Sequence, residues 1–327
     1  MPRSPTSLSR RQALSRLSAL PFLALAGACR PEAPLTVASH VWPGYEFMFL
    51  ARSEGWLPAE NVRLYETPSA TRSIAALREG YAHAAALTLD EVLRVRADGI
   101  ALTVVLVFDV SAGADVVIAR PAIQQLSDLR GAVIGAETTA LGALMLDRLL
   151  SRAGLGKNEV KIISVTPEGH LEAWRQHKLD ALVTYEPTAG RLLAEGARRL
   201  LDSRQFPETI FDVLAVRSEA AATYRDALRT LIAGHFRGIR HLRQNPQDAA
   251  YRLAARLGLP GDQALESFNG LQLPSLAQNR RLLAADGRLQ TVSRELSGLM
   301  LEAGLLTHVD SLSGLISDAC LPDEAST

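Results

Sequence analysis

Short apolar runs alternate with amphipathic helical stretches from residue 35 to residue 201, which confines this chain to an α/β fold. Residues 35–40, 62–66 and 84–87 read as strands, each followed by a turn and a helix pattern. In the second of these helices Ile74, Leu77 and Tyr81 fall on one face and are expected to point inward. Residues 102–108 are nearly all apolar, as a strand covered on both faces must be, and 116–119 repeat the pattern after a small-residue segment. Two buried strands in tandem predict a crossing between two lobes. The same strand–turn–helix order then recurs at 131–135, 160–165 and 181–184, with a last strand at 198–201 and a return crossing at 211–216. The expected architecture is therefore a pair of doubly wound, mostly parallel sheets.

From Ser218 onward the strand signals vanish. Helical patterns follow at 223–243, 247–257, 262–269 and 289–303, broken at Asn245-Pro246, Leu259-Pro260-Gly261 and Leu273-Pro274. This predicts a C-terminal helical extension, with 322–327 as a disordered tail. The divisions that follow are 35–112 for the first lobe, 113–211 for the second, and 212–321 for the return and the helices. A length of 327 residues suits two lobes of ordinary size. A formal net charge of zero argues against nucleic acid as a partner.

The first 28 residues read as an export signal rather than part of the fold. Arg3, Arg10 and Arg11 make a basic start, and residues 17–28 are an apolar run too short to span a bilayer. Ser9-Arg10-Arg11-Gln12-Ala13-Leu14 resembles the twin-arginine export motif. Leu25-Ala26-Gly27-Ala28-Cys29 resembles a bacterial lipobox, with Ala26 where Leu is commoner. Lipidation of Cys29 would anchor the protein to a membrane, with 29–34 as the tether. Cleavage near Ala28 as an ordinary signal peptide is the alternative, and either route places the mature protein in the periplasm or outside the cell. Only Cys320 then remains, so no internal disulfide can form.

In a doubly wound sheet the strand C-termini and helix N-termini converge on one crevice. The turns placed there are 42–46, 69–71, 88–90, 137–139 and 185–186, and each opens a helix with free N–H groups. Two crossings, near Ser111 and near Asp212, would hinge the lobes around that crevice as a clamp. At this level the chain resembles the periplasmic-binding-protein type II fold. Within it, the similarity is to the nitrate/sulfonate/taurine and thiamine-pyrimidine group of ABC-transporter solute-binding proteins. The resemblance rests on Trp42-Pro43-Gly44-Tyr45-Glu46, Pro68-Ser69-Ala70, Leu87-Thr88-Leu89-Asp90-Glu91, Ser111-Ala112-Gly113-Ala114-Asp115, Leu126-Ser127-Asp128-Leu129-Arg130-Gly131 and Val183-Thr184-Tyr185-Glu186-Pro187, in the family's order. It covers residues 35–243.

The resemblance implies solute binding without chemistry or cofactor, and delivery to an ABC permease and ATPase. It implies an aromatic wall of Trp42 and Tyr45 beside Gly44, hydroxyls from Ser69, Thr88 and Thr138, and Asp115 and Asp212 flanking the hinge at Ser111. Glu46, Asp90, Glu137, Tyr185 and Glu186 fall in the same turns. Carboxylates there would repel a simple anion unless paired, so an aminosulfonate or an amino-pyrimidine stacked on Trp42 or Tyr45 is the expected solute. Glu46 and Glu186, beside aromatics, are the favoured contacts. A ligand sensor without transport and a pyrimidine-precursor synthase are the alternatives. The synthase would need a pocket lysine, and Lys157, Lys161 and Lys178 fall in none of the predicted turns. His170, Glu172 and His177 are spaced too widely for one metal ion and read as solvated, while His235 and His241 read as core edge or surface. The anchor reading predicts that Cys29→Ser moves the protein from the membrane to the soluble fraction; unchanged membrane fractionation would rule the lipobox out.

Overall fold

The computed structural model describes Met1 and residues 33–324; the expected export signal and Cys29 lie outside these residues, as do 325–327. The described residues from 34 to 324 form one compact unit containing two sheets. The first has the strand order β11-β4-β10-β3-β1-β2 and the second β7-β6-β8-β5-β9. In chain order the first sheet takes β1 (Leu35–Ser39), β2 (Val62–Glu66), β3 (Ala84–Thr88) and β4 (Leu102–Ser111). The second takes β5 (Asp115–Ala119), β6 (Val133–Ala136), β7 (Lys161–Ser164), β8 (Ala181–Tyr185) and β9 (Arg198–Asp202). The chain then returns to the first sheet with β10 (Phe211–Arg217) and β11 (Leu271–Gln272).

Both sheets are mixed rather than mostly parallel, and the crossings explain why. β5 arrives from the first sheet and runs antiparallel to both of its neighbours, β8 and β9. β10 arrives from the second and runs antiparallel to β3 and β4. The remaining long-strand pairs, β1 with β2 and β3, and β6 with β7 and β8, are parallel. Each sheet thus accepts one visiting strand against the common direction. That strand brings its N-terminal end to the edge where its neighbours present C-terminal ends.

Helices α1 (Glu46–Ser53), α2 (Ala70–Arg78) and α3 (Leu89–Ala97) follow β1, β2 and β3. In the second half α4 (Leu141–Ala153), α5 (His170–Arg175) and α6 (Thr188–Ala194) follow β6, β7 and β8. The extension carries α7 (Arg225–Gln244), α8 (Pro246–Leu257), α9 (Gly261–Glu266), α10 (Leu276–Leu282) and α11 (Arg288–Glu302). The sequence pattern missed α10 and the two-residue β11. Tyr81, expected inward, is 69% exposed, because α2 ends at Arg78 and the chain turns away. The tail stays packed through Pro322, whose carbonyl accepts a hydrogen bond from Arg280 at 2.5 Å. His235 belongs to the core, ringed by Phe47, Phe108 and Phe236. No helix among the described residues is long and apolar enough to cross a membrane.

Strand β4 would be an open edge beyond its short pairing with β11. Asn279 of α10 closes the next position: its Oδ1 accepts from the Val107 N–H at 2.8 Å and its Nδ2 donates to the Val107 carbonyl at 3.1 Å. Further along, the Val104 N–H donates to Leu315 O at 2.7 Å and the Ser317 N–H to Val104 O at 3.0 Å. Asn279 is fully buried, so an apolar replacement strands two backbone groups. Asn279→Leu is expected to cost about 2–4 kcal/mol in urea unfolding; a loss below about 0.5 kcal/mol would show that water or a shifted strand replaces the amide.

Candidate functional site

The turn after β1 shows how the sequence builds the cavity wall. Trp42 is extended (φ −151°, ψ 133°), and Pro43 at the first position of a 3-10 turn through Tyr45 presets the bend. This carries both rings inward: Trp42 is 3% and Tyr45 1% exposed. Gly44 is required between them, because a Cβ there would sit 1.8 Å from Asp109 Oδ2. The Trp42 indole N–H donates to that same oxygen at 3.0 Å. Tyr45 donates its hydroxyl proton to Asp212 Oδ1 and packs on Phe108, with ring centres 5.1 Å apart. From the second half Tyr185 closes edge-on against Trp42 at 5.5 Å.

Trp42 and Tyr45 line a cavity between the sheets, with His40, Ala70, Thr88, Glu91 and Asp212 on the same, first side. Asp115, Glu137, Met145, His170, Thr184 and Tyr185 line the second. It encloses about 30 Å³ open to the centre of a water molecule. A larger solute therefore enters only if the halves part or the lining shifts. Two carboxyl groups close it reciprocally. Glu91 of α3 accepts the Thr88 N–H at 2.9 Å within its own half and the Leu141 N–H, at the start of α4, at 3.0 Å across the gap. Glu137 accepts from the Thr71 N–H at 3.2 Å and from its hydroxyl, at the start of α2. Each half thus places an acid at the positive end of a helix of the other.

The lining contains no Arg or Lys. Burial pushes the Glu91 carboxyl up to about 8, with Asp90 adding to the rise, and Asp115 up to about 7. Burial likewise raises Glu137 despite the bonds from Thr71. His40 and His170 are both lowered to about 4 by burial, and so are neutral at neutral pH. Asp115 Oδ2, Asp212 Oδ2 and His40 Nδ1 are buried without a hydrogen-bond partner. The cavity therefore offers acceptors, hydroxyls and aromatic faces, and no fixed positive charge. Among the described residues no cluster of three His, Cys, Asp or Glu side chains is placed to hold a metal.

Of the residues singled out from the sequence, the fold gathers Trp42, Tyr45, Thr88, Asp115, Glu137, Tyr185 and Asp212 around the cavity. Seven others lie off its lining. Glu46, a favoured contact, is turned away into an ion pair with Arg256, which also reaches Glu66 at 2.7 Å and stacks on Phe49. Glu186, the other, accepts the Gly190 N–H at 3.1 Å and caps α6. Gly44 backs onto Asp109, Ser69 caps α2, and Asp90 accepts from the Thr88 hydroxyl at 2.7 Å. Ser111 ties the crossings together through Ser203 at 2.7 Å and the Asp115 N–H at 3.2 Å. Thr138 bonds Ser164 at 2.8 Å on the rim.

His40, Glu91 and His170 were missed. His170, expected in solvent, is 1% exposed, with Nδ1 3.1 Å from the Thr184 hydroxyl and Nε2 3.2 Å from the Val165 carbonyl. Glu91 has the sequence signature of a capping box with Thr88. That signature accounts for one of its oxygens and is silent on the other.

Comparison with known proteins agrees with this architecture. The family described as NMT1/THI5 like matches residues 42–249. A protein of Brucella abortus described as a binding protein is 28% identical over 123 residues, 36% of this chain; the chain spans 39% of the length of that curated relative. The alkanesulfonate-binding protein SsuA of Xanthomonas axonopodis pv. citri superposes with a TM-score of 0.72 at 16% identity, covering 86% of this chain and 98% of that one. The periplasmic nitrate-binding protein NrtA of Synechocystis PCC 6803 gives a TM-score of 0.66 at 10% identity, covering 90% and 87%. At such identities the likeness establishes the fold.

The buried acids set a pH dependence. Unfolded carboxyls titrate near about 4, so above that pH the folded protein holds protons that the unfolded chain has released. The stability these groups lend is full below about 4 and is lost as pH rises through about 7 (Asp115) and about 8 (Glu91). The buried histidines act oppositely, but only below about 6.5, where the unfolded chain begins to take up their protons. The urea midpoint is therefore expected to fall as pH is raised from about 6.5 to about 8.5. A flat or rising midpoint would mean that these carboxyls are ionised in the folded protein.

Proposed function

The chain belongs to the NMT1/THI5-like family, and on that premise we propose that it is an extracytoplasmic solute-binding protein that closes its two lobes over one small molecule and hands it to an ABC permease and ATPase. The observation carrying this reading is the enclosed cavity between the sheets, lined by acids and aromatics from both halves. Closure that uses contacts from each half, such as Glu91 to Leu141 and Glu137 to Thr71, suits a clamp whose closed population rises when a solute adds contacts of its own. The location is the periplasm or cell-envelope exterior, with Cys29 as the lipid anchor.

The chemistry of the lining favours a solute rich in hydrogen-bond donors, neutral or cationic and flat enough to lie against Trp42, Tyr45 and Tyr185. An amino-pyrimidine meets that description. A sulfonate or nitrate, the anions named for the two structural neighbours, would face four carboxyl groups and no Arg or Lys, which disfavours the aminosulfonate alternative as well. The synthase-like alternative gains no support, since none of the three lysines lines the cavity.

A thermal-shift screen tests this directly. Amino-pyrimidines are expected to raise the melting temperature, and taurine, alkanesulfonates and nitrate to leave it unchanged. Asp115→Asn, which keeps volume but removes an unpartnered acceptor, is expected to weaken amino-pyrimidine binding about tenfold or more. Stabilisation by a sulfonate or nitrate alone, or turnover of the solute, would overturn the reading.

A further inference from the structure

Asp109 and Asp212 stand opposite each other on the crossing strands β4 and β10. They do so because of a bulge: Val213 pairs with Val107, yet Asp212 pairs with Asp109, so Phe108 is the extra residue. A regular ladder would place Asp109 on the other face of the sheet. Directly opposed residues of an antiparallel pair have Cβ atoms about 5 Å apart, and both carboxyls are buried.

Their hydrogen bonds are complementary. Asp109 Oδ2 accepts from the Trp42 indole and Asp212 Oδ1 from the Tyr45 hydroxyl. Each then keeps one oxygen, Asp109 Oδ1 and Asp212 Oδ2, buried without a partner. A proton held between two facing acids satisfies the bare oxygen of each. We propose that Asp109 and Asp212 share a single proton, Asp212 Oδ2 donating to Asp109 Oδ1, and that this locked pair fixes the orientation of the Trp42 and Tyr45 rings in the cavity.

Asp109 is on this account a positioning residue that is itself off the cavity lining. That the two rings meet a solute rests on the function proposed above; the shared proton does not. The other ionisable groups facing the pair do not compete for the role. Asp115 from β5 and Glu91 from α3 are acids that raise Asp212 further, Tyr45 is already donating, and His40, edge-on to Tyr45 at 5.4 Å, is neutral. Burial raises both carboxyls; the charge on Asp109 adds to the rise of Asp212, while the hydrogen bond from Asp212 acts to lower Asp109, which puts the proton mainly on Asp212.

The test uses ligand-free protein, so its result stands apart from the identity of any solute. Asparagine at 109 can accept from Trp42 and donate to Asp212, reproducing the pair with no proton to lose. In infrared difference spectra at pH 7, the C=O stretch of a protonated carboxyl present in the native protein is expected to vanish in both Asp109→Asn and Asp212→Asn. With Trp56→Phe and Trp174→Phe leaving Trp42 as sole emitter, its fluorescence should shift with rising pH in the native background. The shift should be absent in Asp109→Asn, while Asp109→Leu should alter the emission at every pH. Glu91 and Asp115 keep their own protonated-carboxyl bands near pH 7, so the decisive reading is the band lost. A native-minus-Asp109→Asn spectrum with no lost protonated-carboxyl band, or the same pH shift with and without Asp109, overturns the proposal. Should the variants not fold, native protein carrying ¹³C-carboxyl aspartate decides it. The Trp42 indole N–H resonance is expected to titrate together with an aspartate carboxyl, and every aspartate ionised at pH 7 refutes the pair.

Discussion

Two strands leave one sheet for the other, and each must run against the neighbours it joins. β5 and β10 are the long reversed strands of their sheets, and because they are reversed their opening residues lie beside the last residues of the parallel strands. This is how Asp115 and Asp212, which open those strands, come to share a cavity with Thr88 and Tyr185, which close theirs. An all-parallel arrangement would bring only strand C-termini and helix N-termini to that edge. The visiting strands add two carboxyls and, through the bulge at Phe108, bring a third behind the aromatic wall.

Acids buried without fixed cations are costly, and the fold offsets that cost in three ways. Helix N-termini receive Glu91 and Glu137 across the gap. Ring donors receive Asp109 and Asp212. The remaining cost is relieved by protonation, which is why burial moves these groups toward neutral pH. On the proposed reading such a cavity favours a cationic or hydrogen-bond-donating solute, which can draw the proton off these acids and keep a charged partner, whereas an anion finds no fixed cation in the lining. The same groups hold the halves together, so solute recognition and closure draw on one set of residues.

The alternation of strand and helix, the crossings and the helical extension were legible in the sequence because each depends on local periodicity and on Pro and Gly breaks. Trp42-Pro43-Gly44-Tyr45 could be placed at the crevice for the same reason: a proline-started turn after a strand has one place to go. The partners of its side chains could not. Glu46 and Glu186 sit beside aromatics in the chain, yet Arg256, more than two hundred residues away, claims the first, and the α6 amide of Gly190 the second. His170 had the surroundings of a surface residue until β8 brought Thr184 against it.

The sequence by itself therefore determined the class of fold, the order of its elements and the turns that face the crevice, since these follow from propensity and pattern within a few residues. Tertiary structure alone decided which acids meet the cavity and which are neutralised elsewhere. It also decided the one-residue bulge that turns Asp109 toward Asp212. Those outcomes depend on register between distant strands, and a slip of one residue reverses the face of every side chain beyond it.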